Sequence, residues 1–294
     1  MNSPQTPPLR LLVLGAGGML GHIAFRWFAG LRGYHTLGTV RRQAIPAPIQ
    51  RLQTATARLQ PGFDALEATQ LEQLVQDFRP DAVINCVGLV KQLEASRDPL
   101  QAIPVNALLP HRLAELCGRT GSRLVHLSTD CVFSGRRGLY REDDPPDPID
   151  LYDCTKLIGE PVGPHVVTLR TSMIGPELIS RHGLLSWFLS EPGPVRGYAR
   201  AVFSGLPTVE VARVLAEHVL PNRELSGTYH LASDPIDKYA LLKLVADEYS
   251  LPTPIERDEN LVIDRSLDGS RFKAATGFAP APWPELVRRM REFG

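Results

Sequence analysis

A glycine-rich turn between a strand-like and a helix-like segment is the feature that most limits the folds available to this chain. The apolar segment LLVLG at 11–15 leads into GAGGMLG at 15–21, and an amphipathic segment at 18–30 follows. Glycines in such a turn let backbone N–H groups approach a pyrophosphate at the positively polarised helix N-terminus. The spacing is GxxGxxG and matches GxGxxG only in part, so the turn by itself is a weak signal. A dinucleotide site here would use Gly15, Gly18, Met19 and Leu20.

From Leu11 to about Thr171, short apolar strands alternate with helical segments, which predicts a parallel sheet covered by helices. The predicted strands lie at 11–15, 34–40, 81–88, 123–129 and 165–171, and the predicted helices at 18–30, 69–78, 105–117 and 150–160. Thr69 and Glu72 have the spacing of a capping box at the start of the second helix. The fold class expected is α/β, a Rossmann-like doubly wound parallel sheet.

The last third of the chain changes character. Amphipathic helices are predicted at 207–220, 238–250 and 284–293, separated by connections rich in proline and glycine. We predict a dinucleotide-binding Rossmann domain at 1–171. Residues 172–294 are predicted to form mainly a smaller substrate-binding lobe, with some segments completing the Rossmann domain.

Composition limits the classes of partner. The 32 basic and 32 acidic residues give a formal net charge of zero, which offers no reason to expect nucleic acid or an anionic membrane. The four cysteines and the histidines have no metal-ligand spacing, and the cysteines suit reduced thiols. The polar, proline-rich start and the short apolar run after it resemble neither a signal peptide nor a membrane span. We expect a cytoplasmic protein without a metal site.

The end of the second predicted strand bears on cofactor choice. A carboxylate there would bind the ribose 2′-hydroxyl of NAD, whereas arginine accommodates the 2′-phosphate of NADP. The strand ends in Arg41 and Arg42 with no acidic residue nearby in the sequence, which favours NADP(H) and leaves NAD(H) as the alternative. Two solvated surface arginines are the competing interpretation. Asp64, before the next helix, is a candidate for contact with the adenine.

Tyr152 and Lys156 are four residues apart, so on a helix they share one face. A lysine ammonium in that position can lower the pKa of the phenol, which can then exchange a proton with a substrate oxygen. This spacing is common by chance. The order of a glycine turn, apolar strands, a hydroxyl pair at Ser128 and Thr129 and then Tyr152 after a proline-rich loop makes chance a poor explanation.

Several motifs resemble one known family. STDCVFSG at 128–135 resembles the signature STDYVFDG, YREDDP at 140–145 resembles Y-x-E-x-D-x-x-P, and YDCTKLIGE at 152–160 matches YxxxKxxGE. LRTS at 169–172 and NCVG at 85–88 also have counterparts. The chain therefore resembles the extended short-chain dehydrogenase/reductase family, and within it the dTDP-4-dehydrorhamnose reductase-like branch of sugar nucleotide reductases. The resemblance extends from Leu11 to about residue 235.

The resemblance implies roles for individual residues. Thr129 would hydrogen-bond the C4 carbonyl oxygen of a keto sugar, Tyr152 would donate the proton, and Lys156 would keep the phenol reactive while NADPH delivers hydride to C4. Cofactor contacts are implied for Cys86, Val87, Gly88 and Asn106, and for Tyr152 and Lys156 themselves. The implied enzyme is an NADPH-dependent oxidoreductase of a dTDP- or UDP-linked 4-keto-6-deoxy sugar in deoxysugar biosynthesis for cell-surface polysaccharide such as lipopolysaccharide.

The sequence departs from the family on the substrate side. Cys131 replaces the tyrosine of STDYVF, and Met173 stands where an aromatic residue often follows RTS. The sugar can therefore differ from 4-keto-rhamnose, for example a UDP-linked N-acetylated sugar. Lys91, Asp130 and Arg265 are further substrate candidates, with Lys91 and Arg265 considered for a substrate phosphate and ordinary surface roles equally open.

Three other functions remain open from the sequence. An epimerase of the same scaffold would retain NAD tightly. A dehydratase would need an acidic pair next to the catalytic hydroxyl, and Asp130 followed by Cys131 disfavours it. A branch that resembles this family serves as a non-catalytic regulatory subunit. The partner expected is a small-molecule sugar nucleotide, with a homodimer left open.

Overall fold

A computed structural model describes residues 7–294. The strands in chain order are β1 (Leu9–Leu14), β2 (Tyr34–Val40), β3 (Ala57–Pro61), β4 (Ala82–Asn85), β5 (Arg123–Thr129), β6 (Val166–Thr171), β7 (Met173–Ile174), β8 (Val195–Tyr198), β9 (Ala201–Phe203), β10 (Leu206–Pro207), β11 (Gly227–His230), β12 (Ile236–Asp237), β13 (Ile255–Asp258) and β14 (Ile263–Asp264). Within residues 7–294, seven of them form one parallel sheet in the order β11-β6-β5-β4-β1-β2-β3. The order reverses direction between β1 and β4, as in doubly wound folds.

The helices in chain order are α1 (Met19–Ala29), α2 (Ala47–Gln50), α3 (Ala68–Phe78), α4 (Pro99–Ala102), α5 (Leu109–Thr120), α6 (Leu151–Ile158), α7 (Leu184–Ser190), α8 (Thr208–Val214), α9 (Lys238–Tyr249), α10 (Ser270–Thr276) and α11 (Trp283–Phe293). Short 3-10 segments lie at Glu94–Arg97 and Asp130–Val132. Segments of π-helix lie at Ile103–Leu108 and Leu215–Val219.

Alternate side chains of β1 enter two different cores. Leu11 and Val13 belong to a cluster with α1, α8 and α11, whereas Leu12 and Leu14 belong to a cluster with α3 and α5. A strand that is buried on both faces needs apolar residues at every position, and this is why LLVL has no polar alternation. The sheet is covered on both sides, which confirms the predicted Rossmann-like doubly wound fold.

The C-terminal third contributes both to the sheet and to a separate region. Strand β11 pairs with β6, and α8 and α11 pack into the same core as α1. The remaining strands form small sheets, with β9 between β12 and β14, β8 beside β13, and β7 beside β10. The division of the chain at residue 171 stays a prediction.

Two local predictions were wrong. The capping box of Thr69 and Glu72 does not form, because α3 begins at Ala68 with Glu67 at its cap position and Thr69 lies inside the first turn. The helix predicted at 105–117 begins earlier, at Pro99, and passes through the π segment before α5. Pro104 and Pro110 lack the N–H that a regular helix needs, and this accounts for the irregular turn. The sequence analysis also missed β3.

Residues 7–294 include no helix whose length and hydropathy would allow it to cross a bilayer. The same residues include no group of three or more His, Cys, Asp or Glu side chains placed to hold a metal ion.

Candidate active site

The glycine turn brings β1 and α1 into close contact. Gly15 has a φ of +80°, and a Cβ on it would lie 3.1 Å from the Cys86 carbonyl. A Cβ on Gly21 would overlap the Gly15 carbonyl oxygen. Gly18 is the N-cap of α1, and no side chain among residues 7–294 caps that helix. The backbone N–H groups of Met19 and Leu20 therefore lie at a helix start without a side-chain acceptor among these residues, and the dinucleotide site at this turn stays a prediction.

The ends of β2 and β3 lie side by side beyond the turn. Arg41 is 85% exposed, and its Nε lies 4.0 Å from Asp64 Oδ2. Arg42 is also exposed. The sequence placed no acidic residue near the end of β2, but the parallel pairing of β2 with β3 carries Asp64 there. An arginine pair and a carboxylate thus lie together at the place where the sequence predicts contact with the 2′ position of the cofactor ribose.

The loop after β4 is held by Asn106. Its Oδ1 accepts a hydrogen bond from the Leu89 N–H at 2.9 Å, and its Nδ2 lies 3.5 Å from Thr155 Oγ1 on α6. Cys86, Val87 and Gly88 form the start of this loop, opposite Gly15. Burial raises the pKa of the Cys86 thiol to about 12, so it stays neutral. Asn106 therefore links the predicted cofactor loop to the helix of Tyr152 and Lys156.

A buried ion pair fixes the carboxyl ends of β5 and β6. Arg170 donates from Nε and Nη2 to the two oxygens of Glu160 at 2.9 and 2.8 Å. Ser128 donates to the same carboxylate at 2.6 Å. In the strand register Thr129 pairs with Thr171, so this network holds the backbone from which Thr129 projects. Thr129 Oγ1 donates to Asp130 Oδ1 and accepts from the Cys131 N–H, both at 3.1 Å.

Tyr152 and Lys156 lie one turn apart on α6, as their spacing predicts. Asp150 caps the helix by accepting the Asp153 N–H at 2.9 Å. The Lys156 ammonium is buried and donates to the Leu127 carbonyl oxygen at 2.8 Å. Burial lowers the pKa of Lys156 to about 8.

The phenol of Tyr152 is more weakly acidic than usual. Burial raises its pKa, the nearby Cys131 raises it further, and a hydrogen bond with Thr129 acts in the opposite direction. The predicted lowering by Lys156 is not observed, because the ammonium is directed to Leu127. The phenol therefore keeps its proton at neutral pH, and its raised pKa makes it a weaker acid than an ordinary tyrosine.

Thr129 and Tyr152 line a cleft of about 580 Å³. It extends from Gly18 and Met19 at the start of α1 to the small sheets of the C-terminal third. Its walls include the five predicted substrate residues, namely Lys91, Asp130, Cys131, Met173 and Arg265. The structure thus brings the predicted proton donor, part of the glycine turn and the substrate candidates into one cavity.

Lys91 is bonded to carboxylates of α6. Its Nζ lies 2.7 Å from Asp150 Oδ2 and 2.8 Å from Asp153 Oδ1. Burial opposes the lysine charge, but these hydrogen bonds outweigh that effect and raise the pKa of Lys91. Arg265 Nη2 lies 3.7 Å from the same Asp153 carboxylate. Lys91 therefore neutralises the protein's own carboxylates at the cleft wall.

Asp130 and its neighbours form the buried side of the cleft. Burial raises the pKa of Asp130, while Arg265 and Lys238 oppose that rise. Burial also raises the pKa of the Cys131 thiol to about 12, so a neutral thiol lies where the similar signature STDYVFDG has tyrosine. Met173 lies at the start of β7, beside β10.

Lys238 and Phe203 are among the cleft residues that the sequence analysis did not identify. Lys238 begins α9, and its Nζ lies 3.5 Å from the ring centroid of Phe203 on β9. Neither residue belongs to a local motif. They meet because β12 pairs with β9, and no spacing in the sequence signals that pairing.

Comparison with known proteins gives one family match over nearly the whole chain. Residues 9–292 match the RmlD substrate binding domain. Among similar proteins, methionine adenosyltransferase 2 subunit beta of Mus musculus is 26% identical over 325 residues, covering 97% of this chain and 91% of that protein. A dTDP-4-dehydrorhamnose reductase of Streptomyces griseus is 35% identical over 159 residues, covering 54% of this chain and 45% of that protein.

Solved structures share the fold. A dTDP-4-dehydrorhamnose reductase from Bacillus anthracis in complex with NADP has a TM-score of 0.76 at 18% identity, covering 98% of this chain and 100% of that chain. The Bordetella bronchiseptica enzyme WbmH in complex with NAD+ has a TM-score of 0.78 at 19% identity, covering 97% and 98%. These likenesses confirm the fold class, and the two complexes agree with the prediction of NADP(H), or NAD(H), as cofactor.

The family match agrees with the resemblance seen in the motifs at 128–135, 152–160 and 169–172. It extends that resemblance beyond residue 235 to the last helix. The chain belongs to the RmlD substrate binding domain family.

Proposed function

We propose that the protein is an NADPH-dependent reductase that acts on C4 of a dTDP- or UDP-linked 4-keto-6-deoxy sugar, in deoxysugar biosynthesis for cell-surface polysaccharide. The observation that supports this most is the placement of Tyr152 and Thr129 at one cleft, with a phenol that stays protonated at neutral pH. A protonated acid beside a hydroxyl donor suits a carbonyl oxygen that becomes an alkoxide.

Each residue has a separate task in this proposal. When bound, a reduced nicotinamide supplies the hydride. Thr129 holds the carbonyl oxygen, and Tyr152 donates a proton to it from the phenol oxygen. Lys156 shares a helix face with Tyr152, and its hydrogen bond to the Leu127 carbonyl fixes it to β5. A correctly placed acid contributes roughly 10²–10⁴-fold to such a rate.

The glycine turn and the ends of β2 and β3 would hold the cofactor. The uncapped start of α1 fits a pyrophosphate, since its N–H groups lack side-chain acceptors among the described residues. Arg41 and Arg42 favour the 2′-phosphate of NADP(H). Asp64 lies 4.0 Å from Arg41 and would accept a ribose hydroxyl, and this supports NAD(H) as a secondary cofactor.

The proposal is tested by mixing the protein with NADPH and a panel of dTDP- and UDP-linked 4-keto-6-deoxy sugars while absorbance at the nicotinamide band is followed. We expect oxidation with at least one sugar. The Tyr152→Phe variant should lose turnover and keep its affinity for NADPH, because the ring remains and only the proton donor is removed. Absence of oxidation across the panel contradicts the proposal.

A second function has support of its own. This chain covers 91% of methionine adenosyltransferase 2 subunit beta of Mus musculus, which by its name is a subunit of another enzyme. If this chain is such a subunit, a cellular phenotype of its deletion should be rescued by the Tyr152→Phe variant. An epimerase would instead purify with stoichiometric bound NAD. A cytoplasmic location and a homodimer remain predictions from the sequence.

A further inference from the structure

The lysine and arginine side chains that line the cleft differ in how many carboxylate partners they have within the protein. Lys91 has two carboxylate partners within 3.0 Å, on Asp150 and Asp153. A lysine ammonium has three donors and a compact charge. With two carboxylates bound, Lys91 has little capacity left for a third anion. Within residues 7–294, the other lysine and arginine side chains that line the cleft are Lys238 and Arg265.

The ammonium of Lys238 packs against an aromatic ring and has no carboxylate partner among the described residues. Within residues 7–294, no carboxylate oxygen lies within 4.0 Å of its Nζ and no side chain or carbonyl accepts a hydrogen bond from it; its close neighbour is the ring of Phe203, at 3.5 Å. A cation over an aromatic face is held in place but keeps its N–H donors. Asp130 and Cys131 are the titratable groups that act on it, and burial lowers the pKa of Lys238 to about 8.

Arg265 is fixed on the same side of the cleft. Its Nε donates to the Phe133 carbonyl oxygen at 3.0 Å, which orients the guanidinium plane. Its Nη2 is 3.7 Å from Asp153, beyond hydrogen-bond distance, so donors of the fork remain available. Arg265, Lys238 and the buried Asp130 all line the same cavity, and both cations oppose the rise in the pKa of Asp130 that burial causes.

We propose that Lys238 and Arg265 bind the diphosphate of the sugar nucleotide, with Lys238 as a contact that no sequence motif marks. The inference rests on the proposed function, since it takes a sugar nucleotide as the ligand. A diphosphate offers several oxygen acceptors, and a point charge together with a planar fork can bind them from two directions. The ring of Phe203 holds the Lys238 ammonium in place before the ligand binds. Binding therefore costs little conformational entropy at this side chain.

The test measures binding rather than turnover. Isothermal titration calorimetry with dTDP, UDP, thymidine and uridine compares the full-length protein with Lys238→Met, Lys238→Arg and Lys243→Met. Lys243 is an exposed lysine on the same helix and serves as the matched control. We expect Lys238→Met to weaken binding of the preferred nucleoside diphosphate by about tenfold or more and to leave nucleoside binding unchanged. Lys238→Arg and Lys243→Met should stay within about threefold of the wild type.

A pH series supplies a second readout that does not depend on how well Lys238→Met folds. Affinity of the wild type for the nucleoside diphosphate should fall as pH rises through about 8, because the ammonium loses its proton there. Loss of a proton from Asp130 would also weaken binding of an anion, but it would do so in Lys238→Arg as well as in the wild type, whereas Cys131 stays neutral because burial raises its pKa to about 12. The Lys238→Arg variant should keep its affinity to higher pH, since arginine remains charged.

The outcomes separate this inference from the proposed function. If the wild type oxidises NADPH with a keto sugar while Lys238→Met binds the diphosphate normally, the inference is wrong and the function stands. If no keto sugar is reduced but Lys238→Met loses diphosphate binding, the function fails and the inference stands. Equal binding of nucleosides and nucleoside diphosphates by the wild type, or the same pH dependence in wild type and Lys238→Arg, also overturns the inference.

Discussion

The Nζ of Lys91 lies 2.8 Å from Oδ1 of Asp153, a carboxylate whose side chain has no exposed surface, on the residue that follows Tyr152. The loop after β4 is thereby bonded to the helix that carries the proposed proton donor. Removing one partner of a buried pair leaves the other charge without compensation, which costs more than the pair contributes when intact.

Replacing Lys91 by methionine should therefore destabilise the protein by roughly 2–3 kcal/mol, somewhat less than a fully buried pair because Lys91 is partly exposed. Urea unfolding measures the loss. Lys91→Arg should retain most of the stability, and Asp153→Asn added to Lys91→Met should restore part of it. A Lys91→Met protein as stable as the wild type would show that Asp153 does not depend on this lysine.

Lys156 should make stability depend on pH in alkaline solution. Its pKa is about 8 in the folded chain and near that of an ordinary lysine, about 10.4, when unfolded. Between these values the unfolded chain binds more protons, so the contribution of Lys156 to the free energy of unfolding should increase as pH rises from 8 to 10.4. Lys156→Met should lack this increase, and the difference between the two proteins should grow by up to about 3 kcal/mol.

Denaturant unfolding at several pH values from 7 to 10.4 provides the measurement. Lys238 titrates in the same range, but it is present in both proteins and cancels in the comparison. Parallel stability curves for wild type and Lys156→Met would rule out a buried, weakly basic Lys156.

The glycine turn should not tolerate even one methyl group at Gly21. A Cβ there would overlap the Gly15 carbonyl oxygen, so α1 would have to move away from β1. We expect Gly21→Ala to lose about 1–3 kcal/mol of stability and to bind NADPH more weakly. Thermal unfolding and fluorescence titration with NADPH report the two effects. Gly193→Ala is the control, because a Cβ on Gly193 meets no atom within 4 Å; equal behaviour of the two variants contradicts the expectation.

Cofactor preference should depend on Arg41, Arg42 and Asp64 together. The double variant Arg41→Ala/Arg42→Ala should weaken NADPH binding by about tenfold or more and NADH binding much less, because only NADPH carries the 2′-phosphate. Asp64→Asn should leave NADPH affinity unchanged or improve it, since Arg41 is released from its carboxylate. The measurement is the dissociation constant of each cofactor for the wild type and the variants at one fixed ionic strength. Equal losses for NADPH and NADH would show that the arginines do not read the 2′ position.

The features that could be predicted from the sequence are those that depend on neighbours along the chain. The strand, turn and helix at 11–30 have local signals in apolar runs and glycines, and the fold class follows from their alternation. Tyr152 and Lys156 share a helix face because their spacing matches the helical period. Thr129 could be identified because it ends a nearly continuous apolar run, which predicts a buried strand.

The features that could not be predicted depend on which distant segments meet. Asp64 approaches Arg41 because β2 pairs with β3, and β3 is a short strand ending in proline. Lys238 reaches the cleft through the pairing of β12 with β9. The Lys91 contact with Asp153 joins residues 62 positions apart. No local propensity encodes these pairings.

The seventh strand of the sheet has a consequence for how the chain is made. Strand β11 covers the edge of β6 but is encoded at Gly227–His230, well after β6 ends at Thr171. A growing chain on the ribosome therefore exposes the β6 edge until residue 230 has emerged, and an open edge of a parallel sheet pairs readily with other chains. A fragment cut at residue 171 would keep that edge permanently and would lose α8 from the core of α1. The sheet reaches its final form only when most of the chain has been synthesised.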